Sequence, residues 1–84
     1  MVAMKRTAGP ILIDGRTVWA LVIRLPRGLR LRVDEWKSIE GARVLVTIPP
    51  ATATPYYVHG SAFVDGAGWW VELVDAPAVE TVPI

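Results

Sequence analysis

The chain has 84 residues, too few for two independent hydrophobic cores, and 52% of them are hydrophobic. Charged residues make up 20%, against about 25% in ordinary domains, so the composition suits a folded chain and excludes disorder for most of it. The net charge is only +1, and the absence of cysteine excludes both a disulfide frame and thiolate chemistry.

The apolar run from Val18 to Ile23 stops at Arg24, far short of the roughly 20 residues a spanning helix needs. No membrane contact is expected. Lys5 and Arg6 precede only the short run Ile11-Leu12-Ile13, which does not read as a signal peptide, so a cytoplasmic location is expected. Val, Ile and Thr account for 24 of the 84 residues, and such β-branched side chains favour strands. Asn and Gln are absent, and Arg outnumbers Lys seven to two. A hot habitat and GC-rich codon usage explain that bias equally well.

Residues 1–9 read as an N-terminal arm, 10–75 as one barrel domain and 76–84 as a C-terminal arm. Ile11-Leu12-Ile13 meets Asp14-Gly15, a strong two-residue hairpin signal, and a long strand over Thr17–Leu25 follows. Pro26-Arg27-Gly28 reverses the chain into the alternating strand Leu29–Val33. Asp34 can cap a short helical turn over residues 34–40, which Gly41 would end. Ala42–Ile48 is the next strand. Pro49 to Pro55 reads as an extended connection, because proline does not pair in a sheet interior. Tyr56–Val64 and Trp69–Val74 then make a last hairpin around Asp65-Gly66-Ala67-Gly68. The expected fold is all-β: a small antiparallel barrel or roll of five or six strands, SH3-like or OB-like. The string Gly68-Trp69-Trp70 resembles the paired Trp motif of SH3 peptide-binding domains. That family's acidic loop and terminal Pro-Asn-Tyr are missing, so no peptide-groove residue carries over.

A two- or four-residue loop in the last hairpin opposes Phe63 to Trp70 and Ser61 to Glu72. It turns Val58, Gly60, Ala62, Val64, Trp69, Val71 and Leu73 to the core. The outer face then carries Tyr57, His59, Phe63, Trp70 and Glu72, a candidate partner-binding surface. An odd loop would exchange the roles of the two tryptophans. Three loop residues in the second hairpin place Leu21, Ile23 and Leu25 inside. Arg24, Arg30 and Arg32 fall on the reverse face, with Arg27 at the tip. Together with Arg43 these arginines form a candidate basic face, for which phosphates, Glu72 or a partner's carboxylates would supply counter-charge.

Catalytic vocabulary is thin. His59 is the only histidine, so neither a Ser-His-Asp arrangement nor a His-rich metal site can be assembled, and no phosphate-loop or dinucleotide glycine motif is present. No enzyme activity, metal or cofactor is expected. The residues point instead to a binding or assembly module acting through protein–protein contacts and forming homo-oligomers. The apolar tail after Asp75 is a further candidate contact. Nucleic-acid binding is the alternative, with the arginines on phosphates and Tyr57, Phe63 or Trp70 stacking bases.

Overall fold

The computed structural model describes residues 6–76. Its strands are β1 (Arg6–Ile13), β2 (Arg16–Leu25), β3 (Gly28–Val33), β4 (Arg43–Thr47), β5 (Thr54–Val64) and β6 (Gly68–Asp75). They close into an antiparallel barrel in the order β1-β2-β3-β6-β5-β4, and the described residues contain no helix. β1 begins at Arg6, so residues 6–9, expected as an arm, pair with β2 instead. The tail expected as a second arm lies outside the described residues beyond Ala76.

The first hairpin follows its turn chemistry. Asp14 at φ 50° and Gly15 at φ 81° make the left-handed pair that a two-residue turn needs, and Ile13 opposes Arg16. That pairing places Ile11 against Val18, so Val18, Ala20 and Val22 face inward while Trp19, Leu21 and Ile23 face outward. The second hairpin was expected the other way round. Its loop holds two residues, Pro26 and Arg27, and Leu25 opposes Gly28. Leu29, Leu31 and Val33 face inward as expected, but across from Val22 and Ala20 rather than Ile23 and Leu21.

In the last hairpin Asp65, Gly66 and Ala67 form a three-residue loop, so Val64 opposes Gly68 and Phe63 opposes Trp69. An odd loop was expected to bury Trp70, yet Trp69 points inward. The orientation of β6 is set by β3, which pairs Leu31 with Val71 and Leu29 with Leu73. The mismatch along β5 is absorbed by a β-bulge at His59, between Val58 and Gly60. Beyond the bulge Ser61 and Phe63, not Ala62 and Val64, share the side of Trp69.

The expected helical turn over 34–40 does not form. The segment runs irregularly from Asp34 and turns at Glu40-Gly41, where the Ala42 amide donates to the Ile39 carbonyl at 3.1 Å. Trp36 decides the local path: its ring packs against the core and its Nε1–H donates to the Ser38 carbonyl at 2.7 Å. Side-chain donors that satisfy nearby carbonyls compete with helical bonding.

Around the barrel the register advances by one side-chain repeat per strand, which keeps the same side facing in and stacks the core in levels. One level holds Ile11, Ala20, Leu31, Leu73, Tyr56 and Val46; the next holds Ile13, Val18, Val33, Val71, Val58 and Val44. Ala20, Leu31, Val71 and Leu73 have no exposed surface at all. Each fully buried Leu or Val side chain of this kind is worth roughly 1.5–3 kcal/mol. Trp36 and Trp69 pack onto one end of this stack, and Ile48 onto the core as well. Apart from Tyr56, no side chain with a polar or charged group is buried among the described residues.

Candidate interaction surface

The outer surface over β2, β3 and β6 is built from two adjoining rows. Ala8, Leu21, Arg32, Trp70 and Ala62 lie across one row; Arg6, Ile23, Arg30, Glu72 and Gly60 lie across the other. Trp19 flanks Leu21 on the same strand face and is 65% exposed, the most open aromatic ring on this face. Leu21 and Trp70 are half-buried. Ile23 is buried although it lies outside the core cluster. A shallow depression of about 230 Å³ opens where Gly60 and Ala62 leave no bulk, walled by Arg30, Trp70 and Glu72.

Charge on this surface is locally balanced. Arg30 Nη2 lies 3.9 Å from Glu72 Oε1, with both side chains more than two-fifths exposed, so the pair is solvent-screened and worth little by itself. Arg32 donates from Nε to the Ala67 carbonyl at 2.6 Å, which ties β3 to the β5–β6 loop and holds the guanidinium beside Trp70.

The structure distributes the sequence-predicted residues unevenly. Trp70 and Glu72 share the outer surface, and Tyr57 lies on it further round, between Val74 and Arg43. Phe63 does not join them: the bulge turns it to the side of Trp69, edge-on at 5.6 Å between ring centres. His59 is the exposed bulge residue itself. Of the basic residues, Arg30 and Arg32 stand side by side on the outer face and Arg43 on β4. Arg24 sits across from Leu29 on the inward side, at the open barrel end, with Arg27 on the adjoining turn. Arg24 opposes neither Arg30 nor Arg32 and does not share the face on which the sequence placed all three.

Burial raises the Tyr56 hydroxyl above its ordinary pKa, and Asp75 adds to this while Arg24 opposes it. Tyr56 therefore reports the charges at that barrel end. Sequence reasoning missed Trp19 and Leu21 as surface residues. The Asp14-Gly15 turn held the signal: carrying its register along β2 with Ile11 inward puts both outside.

No protein-family model, no curated protein and no solved structure matches this chain. The chemistry of the surface has to speak for itself. Among the described residues no group of His, Asp and Glu is placed to hold a metal ion, and no helix is long and apolar enough to cross a membrane. Trp, Tyr and Arg are the residue types that dominate the energetics of protein interfaces, and small residues beside them leave room for a partner's side chain.

Proposed function

We propose that this chain is a non-enzymatic β-barrel binding module that makes protein–protein contacts, including with its own copies, through the outer face of β2, β3 and β6. The observation that carries this reading is the exposed Trp19 beside Leu21, Trp70 and two arginines on one sheet face. Burying such a patch removes a large apolar area from water, worth about 25 cal/mol per Å² before the costs of association. Light scattering and sedimentation across a concentration series test it. The wild type is expected as a dimer or larger, and Trp19→Ala and Trp70→Ala are each expected to weaken association at least tenfold while melting like the wild type. A monomer mass maintained to high micromolar concentration refutes self-association.

Nucleic-acid binding is a second reading, favoured by the placement of Arg32 beside Trp70 on one row. Glu72 within the face and the net charge of +1 weigh against it. Titration of a fluorescent single-stranded oligonucleotide at two salt concentrations separates the readings. Binding that collapses with added salt supports phosphate contacts, and no binding at low salt rejects them.

A further inference from the structure

The outer face of the barrel is lopsided. Its β2 flank carries Leu21 and Trp19, whereas its β5 flank carries Gly60 and Ala62 and is nearly bare. Between the flanks, β3 and β6 set unlike partners side by side, Arg32 by Trp70 and Arg30 by Glu72. Continuing the register one repeat past Arg32 brings Trp19, 65% exposed, level with Val64 on the β5 flank, 43% exposed.

Half a turn about a line parallel to the strands, midway between β3 and β6, exchanges β3 with β6 and β2 with β5. Every row keeps its height. A second copy placed by that rotation meets Arg30 with its Glu72, Arg32 with its Trp70, Leu21 with its Ala62 and Trp19 with its Val64. Cations face an anion or an indole, and large side chains face small ones. An axis across the strands would instead lay β3 on β3, bring Arg30 onto Arg32 and press the bulky flank on itself. We propose that two copies pair face to face about the axis parallel to the strands.

This pairing rests on the self-association read from the outer face and adds its register. Both sheets keep nearly aligned strands, a common packing of sheet on sheet. Arg30 and Glu72 already lie 3.9 Å apart within one chain, so the pair and its symmetry mate alternate four charges with no net excess. Arg32 is fixed by its bond to the Ala67 carbonyl, so seating it on an indole orders little that was loose. Leu21 enters the depression of about 230 Å³ beside Gly60 and Ala62. A barrel face is convex, so the gap widens toward the flanks, where the long Trp19 side chain reaches across. Each chain uses one patch, and the contact closes as a dimer.

Two single variants test the register by sedimentation velocity: Arg30→Glu and Glu72→Arg. Each alone sets like charges against each other twice across the axis, and is expected to associate at least about tenfold more weakly than wild type. Their equimolar mixture restores both opposite-charge contacts and is expected to dimerise within about threefold of wild type. Thermal melts establish that each variant folds. A second measurement leaves the charges alone. The chain has no cysteine, so Leu21→Cys and Ala62→Cys can be joined by a short bismaleimide. Mixed, they are expected to cross-link to each other, and alone neither to itself, as read by intact mass. A mixture of charge variants that stays monomeric, or a cysteine pair that does not join, overturns this register. If Trp70→Ala still abolishes assembly in that case, the outer-face reading stands without it. A wild type that is monomeric throughout refutes both.

Discussion

Replacing Gly28 with alanine probes how closely two strands of this barrel approach. Gly28 is buried at the start of β3, between Leu25 of β2 and Val74 of β6. A Cβ there would fall on the Leu73 carbonyl oxygen, and 2.9 Å from both the Leu73 carbonyl carbon and the Val74 Cα. These are backbone atoms, so no rotamer change relieves the overlap. β3 would have to withdraw from β6 by on the order of 1 Å to restore the roughly 3.5 Å of ordinary carbon contact. Such overpacking costs roughly 1–3 kcal/mol, and stretching neighbouring ladder hydrogen bonds adds about 1 kcal/mol for each one lost. The lower chain entropy of alanine offsets about 0.4–1 kcal/mol. The net loss is about 3 kcal/mol, a large share of the stability of a domain this size. At roughly 4–8 °C per kcal/mol the melting temperature should fall by about 15 °C. Gly9→Ala is the control, since a Cβ there meets nothing within 4 Å. Circular-dichroism melts of the two variants decide the matter. A Gly28→Ala melting point within about 4 °C of wild type would show that the strands part at little cost, and the close-approach reasoning fails.

Asp14 stitches the barrel closed: its amide donates to the Leu45 carbonyl, and its Oδ1 accepts from the Leu45 amide, both at 2.8 Å. Asp14→Ala should cost about 1 kcal/mol and speed amide exchange at Leu45, whereas unchanged exchange there would contradict the role. Trp69→Ala removes a ring that packs onto the core and should lower stability by roughly 3 kcal/mol, to be measured by chemical denaturation beside Trp70→Ala. Equal losses in the two would mean that the outer face is part of the core. Tyr56 titrates above the ordinary tyrosine value, so its contribution to stability is complete below about pH 10 and declines as pH rises through the raised value. In a Tyr57→Phe background, Arg24→Ala should push that titration higher, because Arg24 favours the phenolate. A tyrosinate absorbance titration that moves down instead would exclude the Arg24 contribution.

Strand positions were legible because β-branched runs and turn residues alternate plainly along the chain. The Asp14-Gly15 turn was readable down to its pairing, since few residue pairs accept two successive left-handed conformations. Facing was harder. Trp19–Leu25 is apolar on both sides, so alternation there does not say which side is inward, and one loop residue more or fewer reverses the answer. The bulge at His59 left no mark beyond the adjoining Gly60, yet it moved Phe63 from the surface of Trp70 to that of Trp69. The helical turn failed for a different reason. Asp34 is a good cap, but local propensity lost to the burial of Trp36, which no local pattern reveals. Candidate surface residues were therefore recovered in part: Trp70, Glu72, Arg30 and Arg32 share a face, while Phe63 and Arg24 do not.

The seam between β1 and β4 is short, pairing only Leu12 with Thr47 and Ile13 with Val46. In antiparallel geometry the residues of β1 that do not bond β2 turn their peptide groups toward the other neighbour. For Leu12 that neighbour is β4. For Pro10 it is the open side, beside Ile48 and Pro49 where β4 has already ended. Pro10 has no amide hydrogen to offer at that spot, so a foreign strand arriving along the gap would find the donor row interrupted. The barrel is thus closed by a short seam whose unpaired stretch of β1 offers a poor template for a strand of another chain. What Pro10 withholds from any strand that would extend the sheet here is one backbone donor.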